Sequence, residues 1–230
     1  LAGKNLPIAR RGDLIRVWFS DNVRIENNRV MSGRDVVLWY SKNLNVRGNE
    51  FRDSRYGLHF MYCKDALVEK NRLTHNSVGA YLMYSSGLRI IGNTMSDNRG
   101  TSGYGVGFKD MEAAVLERNV ISSNRVGFFL EGCSRGVYKQ NLLIYNDIGM
   151  QIFPSTRNNE FRDNDLVENI EQVTLDSASS YTVNDWSGNY WSDYQGYDAN
   201  QDGIGDMPYR PMRFFERLTD RFHSLKIFFA

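Results

Sequence analysis

The side chains best suited to chemistry in this 230-residue sequence are soft metal donors at even spacing. His59 and Met61 stand two apart, and Met83 follows Met61 by 22 residues. Imidazole and thioether together favour copper, Cu(I) above all, over hard cations. Methionine also fills irregular gaps and packs well on aromatic rings such as Tyr81, so residue type alone leaves metal contact and packing both open. A second group lies near the end of the chain: Asp198, Asn200, Asp202, Ile204 and Asp206, with Gly203 in the sixth place. Oxygen ligands at alternate positions around a glycine turn match the first half of a calcium loop. The twelfth place holds Tyr209 instead of an acid, and no helices flank the run, so it is not an EF-hand. A hard-cation loop and a loop capped by its own Asx turns stand side by side. Catalytic constellations are weak. Lys109 and Glu131 read as a surface ion pair rather than as the paired carboxylates of a glycosidase, and Cys63 with His59 lacks a third, orienting group.

These residues need elements to position them, and the elements repeat. An asparagine followed two residues later by a large apolar side chain occurs at Asn28, Asn49, Asn71, Asn93, Asn119, Asn141, Asn164 and Asn189, at intervals of 21, 22, 22, 26, 22, 23 and 25 residues. A second column follows at Asn76, Asn98, Asn124, Asn146 and Asn169, with Ser54 as the departure, and a glycine column runs through Gly57, Gly79, Gly105, Gly127 and Gly149. A fixed period in this range marks stacked repeats. Within a repeat, Leu58, Phe60 and Tyr62 alternate with His59 and Met61, and alternation broken by turn residues argues for strands. A 22-residue coil holds three strands of about four or five residues. The pattern predicts an all-β, right-handed parallel β-helix of about eight coils over 1–194, then a capping loop over 195–211. The asparagines satisfy backbone groups between coils, and the glycines serve positive φ or close backbone approach.

Stacked coils place His59/Met61 and Tyr81/Met83 in outward columns of adjacent coils, between Val37/Trp39 and Gly107/Lys109. The other soft donors, Met95, Met111, Met150 and His75, fall in other columns, and Met95 reads as core. Cys63 and Cys133 share one column three coils apart, roughly 14 Å at the inter-strand spacing, so a disulfide is excluded and free thiols in a buried or turn column are expected, with a metal role as the lesser alternative. The long repeat carries its extra residues in 99–104, and insertions in solenoids map to loops on one face. From 212 to 230, Phe215, Leu218, Phe222, Leu225 and Phe229 recur at helical spacing with basic residues around them. They predict an amphipathic helix that packs on the solenoid end or docks to a partner or membrane surface. Net charge is close to zero and no basic stripe interleaves with aromatics, so no nucleic-acid surface is expected. No run of apolar residues is long enough to span a bilayer. The ends lack clear caps, and the chain reads as part of a longer, processed protein.

The run Asn189-Tyr190-Trp191-Ser192-Asp193-Tyr194, with Gly196-Tyr197-Asp198, Asp202-Gly203-Ile204-Gly205-Asp206 and Pro208-Tyr209, resembles the C-terminal signature of the NosD family. The repeats Gly57-Leu58-His59-Phe60-Met61-Tyr62 and Gly79-Ala80-Tyr81-Leu82-Met83-Tyr84 are similar to that family as well. The resemblance implies a periplasmic β-helix protein of nitrous oxide reductase maturation in denitrification. It would be a carbohydrate-type scaffold turned to non-catalytic copper delivery. Implied partners are an ABC-type ATPase with its membrane permease, a copper chaperone, and nitrous oxide reductase as recipient. The family motif does not specify copper ligands; His59, Met61 and Met83 come from column chemistry alone. A polysaccharide-active or sugar-binding β-helix is the alternative.

Overall fold

A computed structural model describes residues 6–175 and 183–211. The chain winds into a right-handed parallel β-helix, and each turn contributes one strand to each of three sheets of eight strands. The coil that carries His59 shows the pattern: Tyr56–Met61 lies in the first sheet, Leu67–Glu69 in the second and Arg72–Thr74 in the third. The first sheet has the long strands, and the other two are built mostly from strands of three residues, shorter than the spacing predicts. The difference is used by turns in the left-handed region. Tyr62, Lys70 and His75 all have φ near 55°, so a single residue bends the chain from one sheet towards the next. Among the described residues the only helix is the short 3-10 turn Ile8–Arg10.

One residue per coil from each inward column fills the interior. Leu38, Phe60, Leu82, Phe108, Leu130 and Ile152 stack from the first sheet; Val46, Val68, Ile90, Leu116, Tyr138 and Phe161 stack from the second. Such a core is quasi-one-dimensional, each layer resting on its neighbours.

The asparagines hold the corners. Asn71 Oδ1 accepts from both the backbone N–H and the side-chain amide of Asn49, each at 2.9 Å, and Asn71 in turn donates to Asn93 Oδ1. The ladder continues in this way to Asn189. The second column behaves alike from Ser54 to Asn169. These contacts satisfy buried amides that a tight corner orphans. A third, two-rung ladder links Gly136 N–H to Asn159 and Asn159 to Asn184; two rungs are too few to show a period. The glycine column owes its identity to close approach. A Cβ on Gly79 would lie 2.4 Å from the Gly105 carbonyl oxygen.

At the C-terminal end Phe161 stacks on Trp186 and Trp191 on Tyr209, the latter pair with centroids 4.0 Å apart and planes nearly parallel, while Trp186 meets Trp191 at a tilt of 41°. Tyr194 donates its hydroxyl to the Met207 carbonyl at 2.7 Å. The aromatic run after Asn189 thus covers the last layer of the core and ties the following loop to it. The amphipathic segment expected over 212–230, with Phe215, Leu218, Phe222, Leu225 and Phe229, lies outside the described residues.

Candidate metal site on the outer face of the first sheet

Alternation along Tyr56–Met61 turns Leu58 and Phe60 inward and His59 and Met61 outward. Register does the rest. His59 pairs with Val37 and Tyr81, and Met61 with Trp39 and Met83, so His59, Met61 and Met83 project from one face of adjacent coils. The outward columns are those the spacing predicts, but they are not uniformly open. Met61 and Met83 are half-buried, whereas His59 is only 8% exposed and Val37 and Phe129 are buried.

Aromatic rings cover His59. Trp39 meets it at 88° with centroids 5.6 Å apart, Tyr56 lies 4.9 Å away, and Tyr81 lies nearly parallel at 6.4 Å. Neither imidazole nitrogen has a hydrogen-bond partner among the described residues, and the Trp39 indole nitrogen is likewise buried and unpartnered. Burial holds the His59 pKa down, to about 4, with Asp35 opposing and Arg55 adding to the shift. The imidazole is therefore neutral at neutral pH, the form that ligates metal. An orphaned buried imidazole costs stability, and imidazole with thioethers is a donor set of the kind that suits a soft cation. Asp35, buried below this cradle, is tied to Arg55 through a side-chain pair (Nε–Oδ1 2.9 Å) and to Arg34 at 3.4 Å. Arg55 also caps the Tyr56 ring at 4.7 Å.

The remaining candidates separate from this site. Met95, Met111 and Met150 are core residues, and His75 is exposed in the left-handed turn before the second asparagine column. Cys63 and Cys133 are buried and unbonded in one column, with Ser85 and Met111 on the coils between them. Burial raises both thiol pKa values, that of Cys133 to about 12. Lys109 and Glu131 form the expected ion pair at 2.9 Å. In the calcium-like loop the oxygens face the loop's own amides: Asp198 caps Asp202 and Gly203 N–H, Asp202 caps Ile204 N–H, and Asp206 caps Ala199 N–H. Calcium finds no support in these contacts. Among the described residues no three His, Cys, Asp or Glu side chains cluster as a metal site.

The sequence reading missed the rings. Tyr62 continues the alternation on paper, but φ of 55° swings it outward, where it stacks between Tyr40 and Tyr84 in an exposed ladder begun by Phe19. A signal was present: the dipeptides Trp18-Phe19, Trp39-Tyr40, Met61-Tyr62 and Met83-Tyr84 recur at 21 to 22 residues.

Winding, ladders and outward donors define a parallel β-helix with a soft-donor face. Comparison with known structures agrees on the fold. The A-module of the mannuronan C-5 epimerase AlgE6 from Azotobacter vinelandii superimposes with a TM-score of 0.65 over 77% of this chain and 54% of that one, at 14% identity. The family profile described as "Periplasmic copper-binding protein (NosD)" matches residues 1–196, and the chain belongs to the NosD family. The "probable ABC transporter binding protein NosD" of Stutzerimonas stutzeri is 27% identical over 79% of this chain, and that of Pseudomonas aeruginosa is 35% identical over 31%. The chain spans about a third of the length of the first relative and about a sixth of the second.

Proposed function

We propose that this chain is a periplasmic, non-catalytic copper carrier that holds Cu(I) as cargo on His59, Met61 and Met83. The observation that carries the reading is the buried imidazole without a hydrogen-bond partner, flanked on its own strand and the next by two outward thioethers. His59 is the anchor, neutral and shielded from water. Met61 and Met83 form the accessible side, from which a partner's sulfur or nitrogen donors displace the protein ligands one at a time. A neutral donor set binds a soft monovalent ion without first shedding protons, so loading and release need no pH change. The family's description as periplasmic and copper-binding supports copper handling, and the role we propose for it is maturation of the copper sites of nitrous oxide reductase. A copper chaperone would be the donor, the reductase the recipient, and an ABC-type ATPase with its permease the membrane partner.

The test is an anaerobic Cu(I) titration against a competing chelator, followed by metal-edge absorption spectroscopy. One equivalent bound through imidazole nitrogen and thioether sulfur is expected, with loss of binding in the combined variant His59→Ala, Met61→Leu, Met83→Leu. Equal stoichiometry and affinity in that variant would refute the site.

A further inference from the structure

We infer that Trp39 is a fourth contact of the copper site, its indole ring forming a cation–π wall against the bound monovalent ion. This rests on the copper reading above and adds to it a residue that the donor chemistry alone does not name. Four observations converge on it.

The first is position. Register sets Trp39 directly opposite Met61 on the preceding coil, so the outward column runs Trp18, Trp39, Met61, Met83, Lys109, Glu131. The thioether pair is bordered by an indole on one side and an ammonium on the other. Diagonally, the same indole touches His59. Trp39 thus adjoins both kinds of donor.

The second is charge. Imidazole and two thioethers are neutral, so Cu(I) keeps its full positive charge in a partly desolvated place. The carboxylates on this face are already committed: Asp35 to Arg55 and Arg34, and Glu131 to Lys109. What remains to balance the charge is aromatic quadrupole, strongest for indole.

The third is the state of the other rings. Tyr56 already hosts the Arg55 guanidinium on its face. Tyr81 packs among Tyr56, His59 and Tyr104. Trp39 hosts no cation among the described residues.

The fourth is that the Trp39 indole nitrogen is buried with no hydrogen bond among the described residues. A buried indole usually finds a partner for its N–H. Here the ring is held by packing between Trp18 and His59 instead, an orientation that hydrogen bonding does not account for.

The experiment uses Cu(I), and Ag(I) as its redox-inert analogue, with two independent readouts. Affinity is measured by chelator competition, and ring contact by tryptophan fluorescence during Ag(I) titration. In the wild type, Ag(I) should quench emission at one equivalent. Trp18→Phe should keep that quench. Trp39→Phe should abolish it while weakening Cu(I) binding only a few-fold, and Trp39→Leu should weaken binding on the order of tenfold, the range of a partly desolvated cation–π contact. Melting temperatures of the variants show that the fold is retained, and Trp39→Phe keeps a ring in place should Trp39→Leu not fold. If the wild type binds copper, the three-donor variant does not, and both Trp39 variants retain wild-type affinity or Trp39→Phe retains the quench, the inference is overturned and the donor site stands. If the wild type binds no Cu(I), both fall together.

Discussion

The Trp39 indole stands at 88° to the His59 imidazole, and the buried nitrogens of both rings lack hydrogen-bond partners among the described residues. A scaffold selected only for stability would place an apolar side chain at His59, because an unpaired buried polar group costs free energy. Replacing His59 by Phe should therefore leave the metal-free protein at least as stable, raising its unfolding free energy by about 1 kcal/mol, while Cu(I) binding collapses. Urea denaturation of the metal-free variant checks the first half and chelator competition the second. Marked destabilisation would mean that the imidazole nitrogens have partners in solution.

The asparagine ladder should be weak at its end and strong in its middle. Asn93 accepts from Asn71 N–H and Nδ2 at 2.8 and 3.0 Å, and its own Nδ2 donates to Val68 O and Asn119 Oδ1. Asn93→Ala strands several buried partners and should cost on the order of 4 kcal/mol. Asn28 is exposed at the first rung, and Asn28→Ala should cost about 1 kcal/mol or less. Denaturant midpoints compare the two directly, and equal costs would contradict the ladder's role in burying corner amides.

Much of this was legible because a solenoid turns sequence period into register. The 22-residue step put His59, Met61 and Met83 on one face and set Cys63 apart from Cys133, as the structure has it. Period says nothing about contacts that run sideways between columns. Tyr56 covers His59 from the column in front of the glycines, where the next coil has only Val78, and no spacing rule reports that the ring leans across. Alternation also fails where a strand ends. Alternation puts Tyr62 with the inward residues, but one left-handed residue resets the phase and the next inward side chain is Cys63. The strands of the second and third sheets came out short for the same reason.

Cys133 supplies a pH dependence whose sign is fixed. Burial lifts its thiol from the usual range to about 12, with Tyr138 in contact and Asp110 nearby. The folded state thus prefers the neutral thiol more strongly than the unfolded chain does. That contribution is complete below pH ~8.5, the unfolded value, and is lost as pH rises towards 12, for a total on the order of 5 kcal/mol. Wild type should lose stability between pH 9 and 11 faster than Cys133→Ala, and thiol reagents should label Cys133 only at the rate of unfolding. Parallel pH profiles would place the thiol in contact with water.

The loop 198–206 should behave as a self-capped turn. Asp198 accepts from Asp202 and Gly203 amides at 3.2 and 2.9 Å, and Asp206 from Ala199 N–H at 2.8 Å, so these carboxylates already satisfy the turn's donors. Calcium would have to draw those oxygens away from the amides, and a ligand that stabilises the fold raises the melting temperature with its concentration. The melting temperature should be the same in chelator and in millimolar calcium. Asp198→Ala, which strands two amides at an exposed site, should loosen the loop and lower global stability by no more than about 1 kcal/mol. Amide exchange at Asp202 and Gly203 reports the local effect, and a calcium-dependent slowing of that exchange in the wild type would show that the loop binds the cation after all.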